Sequence, residues 1–337
     1  MLPSAEPIRE IDGRTPGVLD DALLAATQPL VLRGLVQDWP FVRAARTSFG
    51  AASAYLRRHY RDASVVAMLG APDIGGRLFY NDAMDGFNFT PLRVRLDGVL
   101  DELQGHHDNP APPAIYVGST TIDTCLPGFR EHNDVDLGTR DALASIWIGN
   151  RTRIAAHYDL PDNLACVAAG RRRFTLFPPD QVANLYIGPL DLTPAGQAIS
   201  LVDFHAPDLA RFPRFVEAMR HARVAELGPG DALFIPSMWW HHIEALEPFN
   251  VLVNYWWRAT PPWMDTPMNA LMHALMSVRD LPPEQRRAWQ GLFKRYVFEA
   301  DAETAAHIPP HARGVLNPLD DAAVRALRAQ LLKRMNR

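Results

Sequence analysis

Between residues 114 and 257 the chain is cut into short apolar runs by Gly, Pro, Asp and Asn. Runs of this length bounded by turn residues read as strands of a sandwich or small barrel. The predicted strands cover 115–118, 145–149, 164–168, 174–177, 232–235, 242–246 and 250–257. Leu227-Gly-Pro-Gly-Asp231 makes a tight turn into one of them, because glycine reaches backbone angles closed to other residues. The flanks differ. Residues 18–26 and 49–58 carry helix-forming residues, while 29–33 and 64–68 read as short strands. Near the end, Met268, Leu271, Met272, Leu275 and Met276 recur at helical spacing. Trp289, Leu292, Phe293, Tyr296 and Val297 do the same, as do Val324, Leu327, Leu331 and Met335 behind Asp320, an expected N-cap. Three amphipathic helices are predicted, their stripes packing on the parent domain or on a second copy. The expected organisation is a mixed α/β region at 1–113, a β barrel at 114–260 and C-terminal helices at 261–337.

Composition excludes several function classes. The 337 residues carry 34 Lys+Arg against 38 Asp+Glu, a net charge of −4. A protein built mainly to hold nucleic acid would show a basic excess. The two cysteines, Cys125 and Cys166, rule out a disulfide scaffold and a four-cysteine zinc site. No apolar run reaches the ~18 residues of a membrane span. The first residues lack a basic segment followed by an apolar one, so a cytoplasmic protein without an export signal is the expectation.

Twelve histidines are present, and most lie in polar contexts. His157-Tyr158-Asp159 stands apart, because residues i and i+2 of a strand share a face and could reach one point. Eighty-two residues after Asp159 comes His241-His242, of which alternation lets only one join them. Two histidines and a carboxylate with open positions form the facial triad of non-heme Fe(II) oxygenases. Catalytic zinc also uses such a set. In Gly170-Arg-Arg-Arg-Phe-Thr-Leu-Phe-Pro-Pro179, Arg172 shares a face with Phe174 and Leu176. An inward guanidinium needs an anionic partner, and a dicarboxylic cosubstrate would supply one. Arg171 and Arg173 read as solvated. In Asn250-Val-Leu-Val-Asn-Tyr-Trp-Trp257, alternation groups Asn254 with Trp256.

These motifs, with Gly228-Pro-Gly-Asp-Ala-Leu-Phe-Ile-Pro236 before Trp239-Trp-His-His242, resemble the JmjC/cupin-8 branch of Fe(II)- and 2-oxoglutarate-dependent oxygenases. Within that branch the chain resembles an asparaginyl hydroxylase. The resemblance implies a double-stranded β-helix, a jelly-roll with the metal inside one end. It assigns Fe(II) to His157, Asp159 and His241, and 2-oxoglutarate to Tyr116, Asn163, Arg172 and Asn254. It sets Tyr80 and Trp256 beside the substrate groove and implies a homodimer through the C-terminal helices. The sequence departs from the relative at three places. Arg172 stands for a lysine and Ile154 for a threonine, and Ala198-Ile199 replaces an Arg-Gln pair that grips the target asparagine. The expected activity is therefore hydroxylation, with O2, of an amino-acid side chain in a peptide or protein, with a small metabolite as the next choice. A metal-binding cupin without turnover, acting as sensor or scaffold, and a zinc hydrolase are the rival readings.

Overall fold

A computed structural model describes residues 2–194 and 196–336. The chain divides into two compact units, Met1–Arg258 and Ala259–Arg337. Among the described residues the first unit has fifteen strands. They are β1 (Glu6–Pro7), β2 (Glu10–Asp12), β3 (Leu30–Arg33), β4 (Ser64–Gly70), β5 (Arg77–Leu78), β6 (Phe89–Arg95) and β7 (Ala114–Thr121). There follow β8 (Leu143–Gly149), β9 (Arg153–His157), β10 (Asp162–Ala169), β11 (Arg172–Phe177) and β12 (Arg223–Leu227). The series ends with β13 (Ala232–Ile235), β14 (Trp240–Ala245) and β15 (Asn250–Trp257).

Strands β8 to β15 are the core. They run as two facing sets, β13-β10-β15-β8 and β12-β11-β14-β9, each set antiparallel throughout. This is the jelly-roll arrangement of a double-stranded β-helix. Both sheets grow at their edges. The first becomes nine-stranded, in the order β2-β3-β13-β10-β15-β8-β7-β4-β6, and the second six-stranded, β1-β12-β11-β14-β9-β5. Residues before 114 are thus built into the sheets rather than laid against a finished barrel. The local pattern could not reveal this, since strand pairing is set by distant partners.

Period-two burial fixes which face each side chain takes. Ala165, Val167, Phe174, Leu176, Leu233 and Leu252 meet between the sheets. The other face of the nine-stranded sheet, including Ile146, Ile148, Cys166, Val253 and Tyr255, is covered by residues of the N-terminal helices such as Phe41, Leu56 and Leu100. The helix Phe49–His59 matches the expected one, capped by the Ser48 hydroxyl accepting from Ala51 N. Pro40–Thr47 is a helix that the sequence reading missed, because Pro40 at its first turn looked like a turn residue. In 18–26 only Asp21–Leu24 is helical.

The second unit holds the three expected C-terminal helices, Pro267–Ser277, Pro283–Phe293 and Asp321–Met335. Asp320 caps the last, its side chain accepting from Ala323 N. Leu271, Met276, Trp289, Leu292 and Leu331 of these stripes are exposed. No helix among the described residues is long and apolar enough to cross a membrane.

One glycine holds a wall of the future site in place. Gly149 pairs with Tyr116 across β8 and β7. A Cβ there would come within 2.5 Å of the Ile115 carbonyl oxygen and 3.3 Å of the Tyr116 Cα. Gly149→Ala should therefore destabilise the protein by about 1–3 kcal/mol, the usual range for overpacking. Urea unfolding checks this; an unchanged midpoint would contradict the close approach.

Candidate active site

Ladder register sets His241 of β14 directly opposite His157, the last residue of β9. Their rings lie 4.3 Å apart, centre to centre. Asp159 is not on the strand, as simple alternation assumed; it sits in the turn just after β9. Its carboxylate still reaches 3.6 Å from the His241 Nε2. The potential ligand atoms of His157, Asp159 and His241 all fall within 4.8 Å of one another. His242 points to the opposite face with Glu244, which is paired with His205. Register thus resolves which histidine of the pair joins the cluster.

Both ring orientations are set by the backbone. His157 Nδ1 lies 2.9 Å from the Ala155 carbonyl oxygen, and His241 Nδ1 lies 2.9 Å from that of Trp239. A carbonyl can only accept, so each Nδ1 carries a proton, and the tautomer this selects in a neutral ring presents the Nε2 lone pair to a metal. Burial holds the His241 pKa well below the usual histidine value, and His157 pushes the same way against the pull of Asp159. A neutral imidazole is the ligating form.

The three residues line a cavity of about 380 Å³ between the sheets. Arg172 enters it from β11 and is only 1% exposed. Its Nε and Nη2 are buried without a hydrogen-bond acceptor among the described residues. Burial lowers its pKa, and the nearby Tyr116 phenol opposes that. Arg171 and Arg173, by contrast, face outward and pair with Glu247 and Glu226. Tyr116 is buried in the cavity wall, and burial pushes its hydroxyl up to about 12, so it stays a donor. Asn163 and Asn254 meet on neighbouring strands: Asn254 Nδ2 donates to Asn163 Oδ1 at 3.3 Å. Trp147 Nε1 donates to Asn254 Oδ1 at 2.8 Å, which orients that amide.

Trp256 lines the cavity and meets Trp147 edge to face at 5.7 Å. Tyr80 is not among the lining residues. It packs with Ala155 and Ile199, which are, and its hydroxyl donates to the Leu192 carbonyl at 2.7 Å. Ile154 and Ile199, two of the sequence's departures, also line the cavity. Trp147 and the loop residues Pro194 and Gly196 were missed by the sequence reading. Alternation within 145–149 could have flagged Trp147; the loop carries no such signal. Trp239, Trp240 and Trp257 are buried and do not line the cavity.

The donor set fits the groups the motifs suggest. Two imidazoles and a carboxylate suit Fe(II), and a buried forked cation without an acceptor suits a carboxylate. Such a cation carries a desolvation cost that no hydrogen-bond acceptor for its Nε and Nη2 offsets among the described residues. Arg172→Met should therefore raise the unfolding free energy of the ligand-free protein by about 1–3 kcal/mol. Added 2-oxoglutarate should raise the thermal midpoint of the wild type and not of the variant. A less stable variant, or one still stabilised by 2-oxoglutarate, would contradict this assignment.

Comparison with known proteins agrees with the fold. Residues 17–262 match the Cupin-like domain family. Over 145 residues the chain is 34% identical to tRNA wybutosine-synthesizing protein 5 of Danio rerio, covering 39% of this chain and 41% of the relative. It is 33% identical over 158 residues to human HSPB1-associated protein 1, covering 45% and 31%. It is 34% identical over 121 residues to the lysine-specific demethylase JMJ31 of Arabidopsis thaliana, covering 35% and 22%. The matched segments span less than half of each of these relatives. They support the JmjC-like branch and give no specific support to a likeness with an asparaginyl hydroxylase. With its jelly-roll core and a match across most of its length, the chain belongs to the cupin-like domain family.

Proposed function

We propose that the protein is an Fe(II)- and 2-oxoglutarate-dependent oxygenase that hydroxylates an amino-acid side chain of a peptide or protein. One observation carries the reading: a His-Asp-His cluster and a buried guanidinium without an acceptor share one cavity. A relative named as a demethylase supports oxygenase-type chemistry. Bound Fe(II) and 2-oxoglutarate would supply activation of O2 for C–H hydroxylation, with 2-oxoglutarate converted to succinate and CO2.

The chain's own residues do the rest. His157, Asp159 and His241 would hold Fe(II) through two imidazoles and a carboxylate. Arg172 would grip a carboxylate of 2-oxoglutarate with its forked N–H groups. Tyr116 would donate a hydrogen bond to it. Asn163 and Asn254 would bind the keto acid as well, and their mutual bond keeps both amides in place. Phe89, Trp147, Leu252 and Trp256 exclude water and border the path of the substrate. Once the metal and the keto acid take their partners, the remaining walls are mostly apolar, which suits an uncharged side chain. The net charge of −4 weighs against a polyanion such as the tRNA in one relative's name. The exposed apolar stripes of the C-terminal helices suit pairing with a second copy.

With Fe(II), 2-oxoglutarate and O2, the purified protein should release succinate slowly on its own and faster with a substrate peptide. The peptide gains the mass of one oxygen atom. Asp159→Ala should reduce both to background while keeping the circular dichroism of the wild type. Succinate release unaffected by Asp159→Ala would sink the proposal. Iron binding without any succinate release would favour a metal-binding sensor.

A further inference from the structure

The ladder holds His157 and His241 but not Asp159, which lies beyond the end of β9. Something else must set the carboxylate's distance from His241. We propose that Ser237 is the positioning residue that does so, by joining the turn that carries Asp159 to the turn that leads into His241. The inference rests on the metal-centre reading above.

Three hydrogen bonds join Ser237 and Met238 to residues 159–162. Ser237 Oγ donates to the Leu160 carbonyl at 2.6 Å. Ser237 N donates to Asp162 Oδ1 at 2.9 Å. Met238 N donates to the Asp159 carbonyl at 2.9 Å. Two of the three come from Ser237, and together they bracket Asp159 on its C-terminal side. Met238 adopts φ +68, a left-handed angle that a residue with a Cβ takes only where its surroundings impose it.

The far side of the turn is anchored as well. Trp239 is buried, and its Nε1 donates to the Thr27 carbonyl at 3.1 Å. The Trp239 carbonyl in turn accepts from His241 Nδ1. A continuous path therefore runs from the Leu160 carbonyl through Ser237 to the backbone that orients the His241 ring. Metal–ligand distances tolerate only about 0.2 Å, so a small drift of the Asp159 turn would weaken the site. Without the Ser237 hydroxyl the turn keeps its backbone bonds but loses its shortest tie.

Cobalt(II) titration of the full chain tests this through visible absorption, with no need for turnover. Ser237→Ala should bind Co(II) 10–100-fold more weakly, as removal of an outer-shell partner commonly does. Its absorption bands should change as well. Ser237→Thr, which keeps the hydroxyl, should restore most of the affinity. Asp162→Ala removes the acceptor of the second bond and should weaken binding in the same direction, and it carries the test if Ser237→Ala does not fold. Thermal midpoints of the metal-free variants report folding separately. Wild-type affinity and spectrum in Ser237→Ala would overturn the inference, as would a Ser237→Thr variant as weak as Ser237→Ala. If wild type and His157→Ala bind cobalt alike, the metal-centre reading itself fails, and this inference with it.

Discussion

The antiparallel pairing of β14 with β9 is the contact on which the site depends. It places His241 opposite His157 at the inner end of the ladder. A slip of one residue would turn His242 inward and expose the cluster's third member to the wrong face. The register is held by what lies around it. Phe174 and Leu176 on β11 pack inward beside β14, while Arg173 and Glu244 meet on the outer face. Hydrophobic burial on one face and charge on the other both penalise the slip, so the histidine pair of the cluster inherits its geometry from ordinary sheet physics.

The inner face also carries polar groups that such a core would not choose for stability. Arg172, Tyr116, Asn163 and Asn254 are all buried between the sheets. The amides bond to each other and to Trp147; the Arg172 Nε and Nη2 have no acceptor among the described residues. Buried polar groups without partners are expensive, and a protein keeps them where a ligand completes them. The surrounding apolar cores, from Phe41 and Leu56 on one side to Phe177 and Phe215 on the other, offset that cost. In this view the cavity is a region of the jelly-roll where stability has been exchanged for recognition.

Much of this was legible in the residues themselves. Short apolar runs predicted β8, β10, β11, β13, β14 and β15 within a few residues of their ends. Alternation alone turned Arg172 inward and its two arginine neighbours outward. The parts that were not legible share a cause: they depend on distant partners. Alternation could not choose between His241 and His242, since register decides that. Asp159 reaches the cluster from beyond the end of β9, so strand alternation does not account for its place beside the two histidines. The recruitment of β4 and β6 into the large sheet, and the two turns joined by Ser237, rest on pairings far apart in sequence. Residues 178–194 and 196–222 carry little periodic pattern. Only their packing, as in the cluster of Phe177, Leu185, Val202 and Phe215, shows their place.

The central claim is that one cavity holds both the metal and the keto acid, through the His-Asp-His cluster and Arg172. The most direct measurement is an anaerobic titration of the Fe(II) protein with 2-oxoglutarate, followed by the visible charge-transfer band that forms when the keto acid chelates iron. The account predicts a saturable band that is absent in His157→Ala and shifted to higher 2-oxoglutarate concentration in Arg172→Ala. A protein that binds iron but shows no band at any concentration would contradict it, as would an Arg172→Ala variant that titrates like the wild type.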